Sequence, residues 1–524
     1  MNDQKSAIHD SRYKWEVLVI VIIGTLMAAL DTSIVNVSIP AIMADFGANL
    51  DDVEWVVTGY MLAFASLMPL TAYLRDNVGH KILYIGSLVA FTSGSVLCGM
   101  AWNVPSLVIA RIIQAAGGGA LTPTGMAMIS EVFEPHERAR AMGYWGVGVI
   151  MGPAFGPTIG GYLTEVFGWP SIFLINLPIG IMGAFFAGKI LMTDKPTEKQ
   201  HKPFDAWGFL FLTIFIVCFL FGVSKGEHEG WTSPLIIWCG ILSLVGFIGF
   251  MLVELQVENG IIDLHLFKNS IFTASIILTA TRSMALFGGT FLLPVFLQQI
   301  KGLEEVESGL ILLPGSLVMG IFMPIAGRMS EKFGARYLAI VGLASLAIFM
   351  FMYRNINANT SNWDIIFPTL IRGFGISILM APLLATMMNS VPKHKAGMAS
   401  SMMNIAQQVG GSLGIAILST ILSNRIHHHL SIVGSSMNSS SPFFKETIHN
   451  LMQRAHSLGY TYSDSAKVAR GLLFKLGSLT ASEHAFQDSF LVGGMIVVIT
   501  MSAALLLPGK PGHSKKSEEP VIME

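Results

Sequence analysis

Charge is scarce in this chain. Only 12% of its 524 residues are Asp, Glu, Lys or Arg and 52% are hydrophobic, whereas soluble domains carry about 25% charge. That deficit points to lipid as the solvent for most of the chain. A basic excess is missing too. The net charge is −1, which argues against the positive field that nucleic-acid binding requires. Cysteine is limited to Cys98, Cys218 and Cys239, all inside apolar runs and without metal-ligand spacing, so they read as small buried hydrophobes. Enzyme signatures are thin. Gly183 to Lys189 spaces like a phosphate loop, but Ile190 stands where a magnesium-binding hydroxyl belongs, and no His-Glu-x-x-His occurs. No enzymatic step, nucleotide hydrolysis or cofactor is expected, so the chain would draw on an ion gradient for energy.

What the chain does have is apolar runs of membrane-spanning length, about fourteen by a scan for stretches of roughly 17–25 residues. Six start near Trp15, Val53, Ile82, Ser106, Met142 and Ser171, two near Ala206 and Pro234, and six near Ile271, Ser308, Tyr337, Ile365, Met398 and Gln487. The first run follows Lys5, Arg12 and Lys14 like a signal peptide, but it is too long and no small-residue cleavage site follows it. A retained span is expected. With the N-terminus inside, basic residues such as Arg75, Lys81, Arg138, Arg140, Lys189, Lys268, Arg328, Lys332 and Arg336 collect on the inner side. The short outer loops keep only Lys225, Lys301 and Arg354. Both termini are therefore expected in the cytoplasm.

The chain also repeats itself. Ala72 to Lys81 joins spans two and three, and Gly327 to Arg336 joins spans ten and eleven; Asp76 matches Glu331, and Gly79 matches Gly334. Arg111 in span four matches Arg372 in span twelve. The expected architecture is an all-α membrane protein in two pseudo-symmetric halves. Residues 1–200 form one six-helix half, 201–260 two inserted spans, and 261–524 the second half, with a long outer loop at 424–486. Two similar halves around a central site is the plan of a secondary transporter.

Asp31 is the most informative residue. It sits inside the run Trp15 to Ile39, where a carboxylate costs about 2.5–3.5 kcal/mol on insertion scales and by default marks an ion, proton or substrate path. Arg111, Arg282 and Arg372 are the other clear intramembrane charges, and Gln114 shares a helix face with Arg111. Asp31 and Arg111 form either a proton-coupling pair or a buried ion pair that only fixes helix packing. Asn36, Gln114, Arg282, Arg372 and Gln407 join Asp31 as candidate substrate-pocket residues. In span five, Gly148, Gly152, Gly156 and Gly160 form a stripe at four-residue spacing, with Pro153, Pro157 and Gly161 beside it. The stripe suits close helix packing or a pivot between the halves. Asp76, Gly79, Arg138, Glu331 and Gly334 could latch the cytoplasmic side or form solvated turns. Between Asn424 and His484, the only long polar stretch, Phe443, Phe444, Ile448, Leu451 and Met452 recur with helical spacing, as do Val468, Leu472, Leu473 and Leu476. They suit helices that dock on a partner or lie on the bilayer. Thr480 and Glu483 fit a capping box opening the last span. His427, His428 and His429 read as a solvated run rather than a metal site.

Taken together, these residues resemble the major facilitator superfamily and, within it, the fourteen-span drug:proton antiporters of the EmrB/QacA type. The string Leu30-Asp31-Thr32-Ser33-Ile34-Val35-Asn36 is similar to that family's first-span signature. Arg111-Ile112-Ile113-Gln114 through Gly119 is similar to its arginine motif, span five to its antiporter motif, and Trp169-Pro170-Ser171 through Asn176-Leu177-Pro178 to its sixth-span opening. The resemblance implies proton-driven export of amphipathic, often cationic drugs across a bacterial inner membrane, without a cofactor. A dedicated exporter of an endogenous metabolite or siderophore is the rival reading. The resemblance further implies that segment 424–486 engages a membrane-fusion adaptor and an outer-membrane channel.

Overall fold

The computed structural model describes residues 11–192, 204–257, 260–392, 395–436, 442–459 and 461–509. Lys5, both chain termini and the side chains of Pro153, Phe443 and Phe444 lie outside the described residues. The first half runs through α1 (Ser11–Phe46), α2 (Leu50–Leu67), α3 (Leu70–Val78), α4 (His80–Gly99), α5 (Val104–Val132), α6 (Arg138–Phe167), α7 (Ser171–Leu174) and α8 (Asn176–Ile190). The inserted pair is α9 (Ala206–Glu229) and α10 (Pro234–Glu254). The second half holds α11 (Ser270–Gln299), α12 (Glu305–Phe333), α13 (Ala335–Met352), α14 (Asn362–Asn389), α15 (Ala396–Ser436), α16 (Pro442–Ser457) and α17 (Tyr462–Thr500).

With α7 and α8 counted as one, twelve helical segments among the described residues are long and apolar enough to cross a membrane, and a thirteenth span is formed if α2 and α3, bent by 54°, are taken together. Pro69 at the bend removes a backbone donor there. The expected fifth span, α6, falls outside that count. It is a continuous helix of 30 residues, but its glycines contribute little hydropathy. Where a helix begins, the chain supplies the cap. Asn103 accepts from Ser106 N in a reciprocal capping box at α5, and Ser233, Asn269 and Ser361 cap α10, α11 and α14.

The internal repeat reaches the backbone. Gly79 links α3 to α4 at φ 83° and ψ 163°, and Gly334 links α12 to α13 at φ 81° and ψ 160°. This positive-φ conformation favours glycine, so the same turn is built twice. Helix partners repeat as well: α1 packs on α6 as α11 does on α15, α4 on α5 as α13 on α14, and α2 on α5 as α12 on α14.

Two expectations change. Asp31's helix does not end near Ile39 but continues through Pro40 to Phe46; one lost donor does not break a helix whose neighbours support it. The last span does not open at a Thr480–Glu483 capping box. Its helix starts at Tyr462 with Thr461 as cap, Thr480 donates to Leu476 O within the helix, and Glu483 accepts from Ala358 N. The described residues of the stretch 424–486 are largely helical, as the spacing of its apolar residues suggested: α15 and α17 run on past the spanning length, and α16 packs against α17. Polar residues hid the continuation because one side of that extension meets water.

The inserted pair straddles a seam between the halves. Lys225 of α9 pairs with Glu54 of α2, and Phe221 stacks on Trp55 at 5.6 Å. Beyond α9, Trp231 Nε1 donates to Thr420 Oγ1 of α15 at 3.1 Å. After the insert, Lys395 pairs with Asp263. Burial pushes the Asp263 carboxyl up, but the hydrogen bonds from Lys395 and from the His265 backbone N–H outweigh it and hold it below the usual carboxylate range.

Candidate functional site: a buried carboxylate network

Asp31 is fully buried in α1, and two helices supply its partners. From α5, Arg111 Nη1 donates to Oδ2 at 2.5 Å and Gln114 Nε2 to Oδ1 at 2.8 Å. From α8, Asn176 Nδ2 donates to Oδ1 at 3.1 Å. Both amide groups also donate to Ser95 Oγ of α4, at 2.6 and 3.2 Å. Gln114 Oε1 accepts from Arg111 Nη1 at 2.6 Å and from the Cys98 thiol at 3.6 Å. The Arg111 guanidinium lies 3.9 Å from the Tyr60 ring centroid, and Arg111 Nε donates to Val56 O at 3.3 Å.

The local sequence explains this convergence. A Cβ on Gly94 would lie 2.5 Å from the Gln114 Cα, so glycine there lets α5 come close enough to set Gln114 beside Ser95. The break between α7 and α8 at Ile175 puts Asn176 at the first position of α8. Such a network compensates a charge pair whose desolvation would otherwise cost several kcal/mol per ion. It also makes the protonation state of one carboxylate a matter for four helices at once.

The pairing of Asp31, Arg111 and Gln114 matches the sequence expectation. Asn36, one turn further along α1, is exposed and does not join them. Asn176, Ser95, Tyr60 and Cys98 are the members sequence reasoning missed. Arg282 and Gln407 form a separate contact in the second half, Nη2 to Oε1 at 3.0 Å. Arg372 is also apart, with Nη1 3.4 Å from Thr290 Oγ1.

The glycine stripe meets α1, not the opposite half. Cβ atoms added at Gly148, Gly152, Gly156 and Gly160 would run into Ile22, Ala29, Ser33 and Ile34, whereas Gly161 has only Val37 at 3.9 Å. Gly156 and Pro157 thus lie in a helix bound to the one that carries Asp31. Contact with the second half is made earlier in α6, where Gly143 and Gly146 abut Met323 of α12 and Ala139 abuts Gly327.

Among the candidate latch residues, Arg138 does bridge the halves: its Nη1 donates to Asn389 Oδ1 at 2.6 Å and Met388 O at 3.4 Å. Asp76 instead accepts from its neighbour Arg75 at 2.6 Å, because at the end of α3 it lies closer to that guanidinium than to the next loop. Glu331 stands among Arg140, His136 and Arg328, and Arg328 Nη2 donates to Tyr144 Oη at 2.9 Å. Further bonds at the same end join Thr71 to Ser401 (2.9 Å), Ser400 to Pro123 O (2.9 Å) and Asn389 to Pro135 O (3.0 Å). No group of three or more metal-ligating side chains occurs among the described residues; His429 bonds to Asp488 at 2.9 Å.

Known proteins carry the same plan. The chain is 30% identical over 500 residues to the multidrug resistance protein B homolog of Mycobacterium tuberculosis, covering 95% of this chain and 90% of that one. It is 34% identical over 419 residues to the riboflavin transporter RibZ of Clostridioides difficile, covering 80% and 90%. The solved structure of the proton:xylose symporter XylE superposes with a TM-score of 0.56 at 14% identity, over 90% of this chain and 95% of that one. The profile of the Major Facilitator Superfamily matches residues 21–415, so this chain belongs to that superfamily of membrane transporters.

Proposed function

We propose that this transporter exports amphipathic compounds in exchange for protons, with Asp31 as the proton carrier and Arg111 as its fixed partner. The observation that carries the reading is a carboxylate sealed from solvent yet bonded to side chains from α5 and α8. Neutralising it would release a guanidinium and two amide groups together, coupling a proton to helix packing. A relative named for multidrug resistance supports export. The excess of basic residues on one side supports a bacterial plasma-membrane location with both termini inside. The helical extension at 424–486 would suit an adaptor partner outside the membrane. At a membrane potential of ~100 mV one net charge moved supplies about 2.3 kcal/mol, and half a pH unit adds roughly 0.7. That supports somewhat over a hundredfold gradient.

The test is dye accumulation in inverted vesicles, wild type against Asp31→Asn. Wild type is expected to accumulate dye only on a proton gradient, and the variant to stay at the collapsed-gradient level while still folding. A variant that pumps like wild type makes Asp31 structural and sinks the assignment. The second reading, a dedicated metabolite exporter, is favoured by the riboflavin-transporter relative; transport of one metabolite and none of a dye panel would select it.

A further inference from the structure

The second half buries two guanidiniums, Arg282 and Arg372, that no acid pairs among the described residues. Helices α11, α13 and α15 contain no Asp or Glu, α14 has only Asp364 in its first turn, and the acids of α12 (Glu305, Glu307 and Glu331) sit in its end turns. In α17, Asp464 lies in the first turn, Asp488 is taken by Arg425 and His429, and Glu483 by Ala358 N. Arg282 is 1% exposed and makes a single hydrogen bond among the described residues, to Gln407. Thr279, three positions before Arg282 on α11, and Ser283, four positions after Thr279 and beside it on the helix, have fully buried hydroxyls with no hydrogen-bond partner among the described residues. Arg282 lies 12 residues into α11 and Gln407 11 residues into α15, so both sit about 17–18 Å along their helices, at one depth. One turn before Gln407, Asn404 touches Met126 of α5 across the gap between halves, so this face of α15 looks toward the other half.

We infer that Arg282, Gln407, Thr279 and Ser283 form a binding site for an anionic oxygen group, a carboxylate or phenolate, on the transported amphipath. The inference rests on the export reading above and narrows its substrate class. A buried unpaired guanidinium is costly, and a planar acid offers it the two-pronged, charge-assisted bonds it lacks. With Gln407 Oε1 already bound to Arg282, the Gln407 amide N–H groups remain to donate, as do both hydroxyls. Every free group at the site can therefore donate, and beside a guanidinium this suits an acceptor-rich ligand and disfavours a simple cation.

The test compares rhodamine B, whose benzoate is free, with its ethyl ester, using full-length protein in lipid nanodiscs without a gradient and fluorescence polarisation as readout. Wild type is expected to bind rhodamine B about tenfold more tightly than the ester, and Arg282→Met to bring rhodamine B down to the ester's affinity. Should that variant fail to fold, the double variant Thr279→Val, Ser283→Ala is expected to narrow the preference. Equal affinities in wild type, an equal loss for both dyes in the variants, or no binding of either overturns the site. Accumulation in inverted vesicles is scored separately. Carboxylate preference without gradient-driven uptake sinks the export reading and leaves the site standing; uptake without preference does the reverse.

Discussion

Asp31 has both oxygens occupied: Oδ2 by Arg111, Oδ1 by the two amide groups of Gln114 and Asn176. The amide that comes from α8 can be removed without touching the Arg111 pair, taking with it only its bonds to Asp31 and Ser95. Asn176→Ala should cost about 1.5–3 kcal/mol, the range for hydrogen bonds to charged groups, read as a lower unfolding midpoint of the purified protein. Asn176→Asp should cost more, because it sets a second carboxylate against the first. An unchanged midpoint in both would mean that the Asn176 contact is idle. At this scale the charged members were legible from sequence, since an acid or arginine inside an apolar run stands out against its neighbours. Asn176 and Ser95 were not. Neutral polar residues are common in spanning helices, and spacing along one helix says nothing about partners on another.

Between elements, the glycine stripe of α6 decides how closely α1 is held. Gly152 is the cleanest test, because an added Cβ would lie 2.4 Å from the Ala29 carbonyl carbon, a backbone atom that cannot swing aside as a side chain can, whereas Gly161 has room. Gly152→Ala is therefore expected to destabilise by about 1–3 kcal/mol, as overpacking does, and to lower transport. Gly161→Ala is expected to be near neutral. Similar losses of folded yield in the two variants would show that the stripe does not set the approach. The four-residue period of the stripe was readable from sequence; its partner was not, because the period gives a face and no address. The positions of most spans were readable for the same reason the last one was misplaced. Hydropathy marks where a helix meets lipid, and α17 begins well before it does.

Across the whole molecule, the halves are bonded to each other at the end that carries the Gly79 and Gly334 turns. Arg138–Asn389, Arg328–Tyr144, Thr71–Ser401 and Ser400–Pro123 all lie there. Loosening that end should shift the population of states that alternate access requires. In a background lacking Cys98, Cys218 and Cys239, Arg138→Ala is expected to raise maleimide labelling of Ser401→Cys by about 5- to 30-fold, since the bonds lost are worth about 1–2 kcal/mol. Labelling at the wild-type rate would mean that Arg138 does not hold the halves together. The same rocking has a mechanical consequence at the other end. Helix α15 has 41 residues and is about 60 Å long, twice the ~30 Å hydrocarbon core. It leaves the second half as a lever arm, braced by α16 and α17. A rigid-body turn of about 15° would sweep a tip 30 Å out by roughly 8 Å, so on the alternating-access reading proposed above each transport cycle would deliver a stroke beyond the bilayer.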